Sequence, residues 1–177
     1  MAIATGASMG CSVIISQMFG AGKRRELKSS ITTVLVSLVA LGIVLAGGGA
    51  ALARPLMRLL NASGTTLTGS AAYLAIYSVG VLPMLIYNAT SSVFTGLGNS
   101  KLPLLFLFIS VLNVILDYIA VAVLHWGVVG AAWATTISQF VSAIMAVSVL
   151  RSQVLSTFKD EKSPLFDKSI FGSMCSI

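Results

Sequence analysis

Asp117 is an acidic residue inside a long apolar run, LPLLFLFISVLNVILDYIAVAVL, from Leu102 to Leu124. Asn113 precedes it by four residues, so the two side chains share one face of a helix. A carboxylate at bilayer depth costs at least about 2.5–3.5 kcal/mol and is therefore retained where it has a task. An acid and an amide one turn apart can direct several oxygens at one point. Such an arrangement can hold a small cation or a proton inside a membrane.

The residues alone support two interpretations of this carboxylate. In the first, Asp117 binds a cation or a proton. Burial disfavours the charged form of a carboxyl group and a bound cation favours it, so one site can exchange a proton for Na⁺. In the second, the carboxylate is structural and pairs with Asn113 or Tyr118. Asn113 itself fits either a site role or a bond that joins two helices.

The composition of the 177-residue chain places it in a membrane. The chain is 56% hydrophobic and 9% charged, whereas a soluble domain carries about 25% charged residues. Its net charge of +6 comes from basic residues that cluster at predicted helix ends, as membrane topology requires. No interleaving of aromatic and basic residues indicates a nucleic-acid surface. The distant Cys11 and Cys175 predict neither a disulfide framework nor a metal site.

The apolar blocks predict an all-α membrane protein with about five transmembrane helices, because about 20 apolar residues cross the hydrocarbon core. The predicted spans cover approximately residues 3–19, 29–53, 71–96, 104–124 and 129–150, in a helical bundle over residues 1–152. Arg54-Pro55 is expected to end the second span, and Pro83 to bend the third. Residues 153–177 are polar or mixed and are expected to form a cytoplasmic linker or tail.

The basic residues predict how these spans are oriented. The ends after spans one, three and five carry nine lysines and arginines, and the opposite ends carry only Arg54 and Arg58. This asymmetry places the first group in the cytoplasm and the first residue of the chain outside. The first helix is weakly hydrophobic and would enter without a leader. We therefore expect that the chain is a fragment and that a helix precedes it.

Catalytic patterns are absent from the sequence. It contains no HExxH, no GxxxxGK[ST], no paired-cysteine motif and no Ser-His-Asp arrangement, and its single histidine, His125, lies at a predicted helix end. We expect a protein that is not an enzyme and that uses no cofactor.

Four segments, in their order and spacing, resemble the multidrug and toxic compound extrusion (MATE) family of transporters. They are ATGASMGCSVIISQMFGAGKRRE, YNATSSVFTGLGNSKLPL, ISVLNVILDYIAV and WGVVGAAWATTISQ, and the resemblance covers about Ala4 to Leu165. It implies a six-helix lobe to which this chain contributes family helices two to six. The family's first helix and its carboxy-terminal lobe have no counterpart here. The resemblance also implies a multi-pass protein of a bacterial-type inner membrane that exchanges Na⁺ or H⁺ for drugs or organic cations.

The N-x-x-x-D pattern and a later threonine resemble the DinF-like and prokaryotic members, whose amino-terminal half carries a cation site. The match implies that Asn113, Asp117 and Thr135 bind the coupling ion, Na⁺ or H⁺. The other acidic residue of that site belongs to the first family helix. Thr136 is adjacent to Thr135 and could take its place, and threonine also commonly bonds the backbone of its own helix.

Three further polar residues are expected to line the cleft: Gln139, Tyr87 and Asn88. Gln139 follows Thr135 by one turn and shares its face. Tyr87 and Asn88 are also consistent with a position near the membrane interface, where aromatic side chains favour both media.

Two other functions stay open at this point. The chain can be an inactive truncated remnant, or a half-module that needs a partner polypeptide. It can also belong to a lipid-linked sugar flippase of the same superfamily, although such proteins place basic residues in the central cavity. The interiors of the predicted spans contain no lysine or arginine, which disfavours the flippase.

Overall fold

The computed structural model of the chain describes residues 2–99, 101–154, 167, 170 and 172. Its helices are, in chain order, α1 (Ala2–Gly20), α2 (Arg24–Leu59), α3 (Gly64–Gly96), α4 (Lys101–Tyr118) and α5 (Gly127–Gln153). A π-helical segment, Ile119–Val123, follows α4 directly. The described part of the chain contains no strand, so the predicted all-α class is confirmed.

Helices α1, α2 and α3 end in the same hydrogen-bonded turn. After α1, the Lys23 amide donates to the Met18 carbonyl at 3.3 Å and the Gly22 amide donates to the Phe19 carbonyl at 3.1 Å. This turn needs one residue in the left-handed conformation, which glycine and asparagine adopt most easily. That residue is Gly22 (φ 66°) after α1, Asn61 (φ 59°) after α2 and Gly98 (φ 74°) after α3.

The second and third helices are longer than the predicted spans. Helix α2 continues through Pro55 to Leu59, so the helix does not end at Arg54-Pro55, where the second span is predicted to end. A proline removes one backbone hydrogen bond, but helices in membranes tolerate this loss, and the turn at Asn61 ends α2 instead. Helix α3 begins at Gly64, well before residue 71, and contains Pro83 in its interior as predicted.

Among the residues that the structure describes, three helical stretches are long and apolar enough to cross a membrane: Arg25–Leu59, Gly64–Gly96 and Gly127–Gln153. Two shorter apolar stretches, Met9–Gly20 and Ile109–Val123, lie where the other two spans are predicted. The helices expose large apolar side chains, for example Val114 (66% exposed) and Ile144 (65% exposed). Such faces suit lipid, where all backbone polar groups are satisfied within the helix. The topology of five spans stays a prediction.

The first of two compact units comprises Met1–Ala40, Leu85–Leu105 and Ala143–Ile177. Large apolar side chains are buried in it, among them Ile15, Ile31, Leu85 and Phe94. Helices α1 and α3 meet closely at Gly96. A Cβ atom at this position would lie 2.7 Å from Ile15 Cγ2 and 2.8 Å from the Ser12 carbonyl oxygen. The glycine therefore sets how near the two helices come.

The second unit comprises Leu41–Met84 and Phe106–Ser142. Apart from Ile109 and Pro83, the buried apolar side chains in its described part are alanines. Gly49 of α2 lies against the side chain of Ser78 of α3. Small residues let helix backbones approach closely, which is the usual way in which helices associate in membranes. This unit contains the residues that the sequence assigns to a cation site.

Candidate cation site

Asn113 and Asp117 lie on the partly buried side of α4. The opposite side of α4 is exposed and carries Val111, Val114, Ile115 and Tyr118. The spacing of four residues puts the amide and the carboxylate one helical turn apart on the same side. Asn113 and Asp117 therefore both face away from the exposed side of α4.

Thr135 and Gln139 repeat this arrangement on α5. Both are partly buried, and both lie opposite the exposed side of α5, which carries Trp133, Ile137, Phe140 and Ile144. They too are one turn apart. The second unit therefore contains two helices that each present a pair of polar side chains on the inward side.

The contact between Ala120 and Gly130 gives a common reference point on α4 and α5. From it, the position of each polar pair along its helix can be compared. A Cβ atom on Gly130 would lie 3.1 Å from the Ala120 carbonyl oxygen and 3.2 Å from Ala120 Cβ. In the predicted topology α4 and α5 are consecutive membrane spans and run antiparallel. At about 1.5 Å per residue, the distances along the axes from this contact are then about 4.5, 7.5, 10.5 and 13.5 Å for Asp117, Thr135, Asn113 and Gln139. In this topology the four polar residues alternate between the two helices over about two turns.

Three buried polar atoms of the second unit have no hydrogen-bond partner among the described residues: Asn113 Nδ2, Asp117 Oδ1 and Gln139 Oε1. The other such atoms in the described part are the hydroxyls of Ser29 and Ser37, which belong to the first unit. A buried polar group without a partner costs about 1–3 kcal/mol, and more when it is charged. Each such group in a native structure calls for an explanation, and a bound ion or water is one of them.

The structural interpretation of Asp117 is not supported by these contacts. Asp117 Oδ1 and Asn113 Nδ2 are both unpartnered, so this carboxylate oxygen does not accept a hydrogen bond from the amide. Tyr118, the other partner considered, is 67% exposed and lies on the outer side of α4. The carboxylate oxygen is therefore available to a ligand.

Thr135 and its neighbour Thr136 differ in their contacts. Thr136 is 2% exposed, and its hydroxyl donates to the Ile76 carbonyl of α3 at 3.2 Å. Thr136 thus joins α5 to α3 and has a structural role. Thr135 makes no side-chain hydrogen bond to any residue that the structure describes. It does not bond its own helix, so its hydroxyl can serve as a ligand.

Gly80 of α3 is a residue that the sequence did not single out. A Cβ atom at this position would lie 2.5 Å from Gln139 Oε1 and 3.1 Å from Thr136 Oγ1. The missing side chain of Gly80 therefore provides the space that the Gln139 amide occupies. A glycine inside a helical pattern usually has such a packing reason, and this was the available signal in the sequence.

Tyr87 and Asn88 belong to the first unit, whereas the four polar residues of α4 and α5 belong to the second. Both are partly buried, and Tyr87 shares a side-chain hydrogen bond with Ser91. Their assignment to the lining of a cleft stays a prediction.

The candidate site combines one carboxylate with neutral oxygen donors, namely an asparagine amide, a threonine hydroxyl and a glutamine amide. No group of three or more His, Cys, Asp or Glu side chains occurs within the described ranges. A site made of one negative charge and several neutral oxygens would match a monovalent cation, because the charges would cancel and the oxygens would replace water.

The chain is similar to known proteins over nearly its whole length. It is 31% identical over 157 residues to the Probable multidrug resistance protein YpnP of Bacillus subtilis, covering 88% of this chain and 35% of that protein. It is 30% identical over 171 residues to the Probable multidrug resistance protein YoeA of the same species, covering 93% and 35%. The chain thus spans about a third of the length of these curated relatives.

A solved structure of the inward-facing conformation of a multidrug resistance MATE family transporter of the MOP superfamily superposes with a TM-score of 0.88. The identity is 25%, and the match covers 99% of this chain and 40% of that one. The MatE family model matches residues 1–119, which include Asn113 and Asp117. The helical fold, the sequence identity and this match agree, and the chain belongs to the MATE family, whose members are transporters rather than enzymes.

Proposed function

We propose that the chain forms part of the amino-terminal lobe of a cation-coupled antiporter that expels drugs or organic cations. The observation that carries this proposal is the buried, unpartnered oxygen Oδ1 of Asp117. A carboxylate in a membrane helix is a functional candidate, and polar contacts within the described part leave this oxygen unused. The proposed membrane is the cytoplasmic membrane of a bacterium, in line with the Bacillus relatives.

Asp117 supplies the charge that a cation neutralises. A proton binds to its carboxylate directly. Na⁺ would be held by the carboxylate with the neutral oxygens of Asn113 and Thr135. In either case the buried side of α4 changes from charged to neutral, and the burial of a charge is what a membrane protein most strongly resists. The occupied site and the empty site therefore favour different surroundings for α4. Cation binding thus has a different free energy in the two conformations, and this difference is what a ligand-driven conformational change requires.

Alternating access follows from that difference. With the cation bound, the neutral surface can be enclosed by neighbouring helices. Without it, the charged surface favours contact with water. If the substrate and the cation stabilise opposite conformations, entry of the cation down its gradient drives exit of the substrate. The names of the relatives point to multidrug resistance, so the proposed substrates are small amphipathic or cationic molecules.

A transport assay tests this function. The protein that contains this chain is reconstituted into vesicles loaded with a fluorescent organic cation, and Na⁺ or a pH gradient is imposed from outside. We expect faster release of the dye with at least one inward cation gradient than without a gradient. Release that depends on neither gradient would contradict cation coupling. Vesicles without protein provide the baseline.

Substitutions of the two adjacent threonines are expected to have different effects, one on cation affinity and the other on the stability of the fold. Thr135→Val removes a hydroxyl that has no described partner, so cation affinity should fall several-fold while the melting temperature changes little. Thr136→Val removes the bond to Ile76, which should destabilise the fold by about 1 kcal/mol and leave cation affinity close to wild type. Thermal unfolding across a series of cation concentrations measures both quantities. The reverse pattern would assign the site to Thr136.

A further inference from the structure

The side chain of Gln139 presents a buried oxygen that the fold does not use. Oε1 has no hydrogen-bond partner among the described residues. The amide is also held in a confined place, since it fills the space beside Gly80 of α3. Surface glutamines can turn toward water, whereas this oxygen is kept out of it. A glutamine in such a position would be replaced by an apolar residue at little cost unless its oxygen had a partner in another state.

The position of Gln139 connects it with the other unpartnered atoms. Gln139 and Thr135 share the inward side of α5. Gln139 lies one turn farther than Thr135 from the Ala120–Gly130 contact. Measured along the helix axes it lies about 3 Å beyond Asn113. The unpartnered buried atoms in the described part of the second unit belong to Asn113, Asp117 and Gln139. A cation at this depth would take Asp117 Oδ1 and Gln139 Oε1 as ligands, whereas Asn113 would bind it through its amide oxygen and not through Nδ2.

We propose that Gln139 is a further ligand of the cation site, that its amide oxygen makes the site selective for Na⁺, and that Gly80 is the positioning residue that makes room for this amide. The inference rests on the function proposed above and names the coupling ion. An amide carbonyl has two lone pairs and binds a metal cation. It does not take up a proton near neutral pH, so it adds affinity for Na⁺ and none for H⁺.

Gly80 acts through Gln139 rather than on the ion. A Cβ atom at Gly80 would lie 2.5 Å from Oε1, so a methyl group there must displace the amide. Thr136 Oγ1, at 3.1 Å from the same point, is fixed by its bond to Ile76 and cannot give way without breaking that bond. The flexible Gln139 side chain is therefore the group that moves.

Na⁺-dependent thermal stabilisation tests the proposal. A ligand that binds the folded state raises the melting temperature in proportion to the logarithm of its concentration above the dissociation constant. In the protein that contains this chain, purified in detergent, Gln139→Leu should raise the Na⁺ concentration for a given stabilisation about tenfold or more. The melting temperature without Na⁺ should stay equal or rise, because an unpartnered polar group is replaced by an apolar one of similar shape. Gln17→Leu, at an exposed glutamine of α1, is the matched control and should behave as wild type.

Two further variants keep the test decisive. Gly80→Ala should weaken Na⁺ binding in the same direction as Gln139→Leu, and the two changes together should be no worse than Gln139→Leu alone. Gln139→Glu retains the oxygen and adds a charge, so it should bind Na⁺ at least as tightly as wild type.

The outcomes distinguish this inference from the proposed function. An unchanged Na⁺ dependence in Gln139→Leu, with the dependence lost in Asp117→Asn, would overturn the role of Gln139 and leave the cation site at Asp117. A wild-type response to Na⁺ in Asp117→Asn would overturn the proposed site itself. If Na⁺ does not stabilise the wild-type protein while a pH gradient drives efflux, the selectivity for Na⁺ is wrong and the antiporter stands.

Discussion

Replacing Asp117 with asparagine is expected to reduce cation-driven efflux to the level of vesicles without protein. Asparagine has nearly the shape of aspartate, but it neither takes up and releases a proton nor neutralises a bound cation. The buried side of α4 would then have the same charge in every state, so a cation gradient would have no differential free energy with which to drive a conformational change. The measurement is dye release from vesicles under an imposed Na⁺ or pH gradient.

The same substitution should leave folding intact, and this separates a site role from a structural one. Asp117 Oδ1 has no hydrogen bond to lose among the described residues. Removal of a charge whose buried oxygen has no partner relieves the cost of taking that oxygen out of water. We therefore expect a melting temperature in the absence of Na⁺ that is equal to or higher than that of wild type. A variant that fails to accumulate in the membrane would show that the carboxylate has a structural partner.

Glu26→Gln is the matched control for this experiment. Glu26 is an exposed acid whose carboxylate pairs with Lys23 at 3.0 Å, with side chains 50% and 57% exposed. Loss of a surface ion pair changes stability by at most about 1 kcal/mol, and Glu26 lies outside the second unit. Efflux by Glu26→Gln should equal wild type. Full efflux by Asp117→Asn as well would refute the assignment of the cation site.

The sequence predicted the order of the helices because long apolar blocks separated by glycine turns are a local signal. The turns at Gly22 and Gly98 stop α1 and α3 where the spans were expected to end. Proline was a weaker guide. Pro55 predicts a stop, but the helix continues because the later backbone amides and carbonyls still pair, and α2 ends at the turn that contains Asn61. The π-helical turn after Tyr118 has no comparable local signal.

The candidate site was predictable as far as it depends on spacing within one helix. The spacing of four residues placed Asn113 beside Asp117 on one side of α4, and Gln139 beside Thr135 on α5. The contact between α3 and α5 could not be predicted from residue spacing within one helix. The bond from Thr136 to Ile76 joins residues 60 positions apart, and it decides which of two adjacent threonines is structural. The pairing of Gly80 with Gln139 is equally non-local.

Gly96→Ala is expected to produce the largest loss of stability among single methyl additions at those glycines of the first unit whose surroundings the structure describes. The new Cβ would lie 2.7 Å from Ile15 Cγ2, 2.8 Å from Ile15 Cβ and 2.8 Å from the Ser12 carbonyl oxygen. Ile15 is fully buried and the carbonyl belongs to the backbone of α1, so neither neighbour can move aside without shifting the helix. Overpacking of this kind costs about 1–3 kcal/mol, which corresponds to a melting temperature lower by about 2–12 °C for a chain of this size.

Gly20→Ala is the matched control, because Gly20 has the same place in α1 that Gly96 has in α3. Each is the last residue of its helix and lies two residues before a glycine with positive φ. A Cβ atom on Gly20 would meet no atom within 4 Å, so the substitution should be neutral or stabilise the helix by up to about 1 kcal/mol. Thermal unfolding in detergent compares the two variants. Equal melting temperatures would mean that α1 and α3 do not meet at Gly96, because the substitutions differ only in what surrounds the added methyl group.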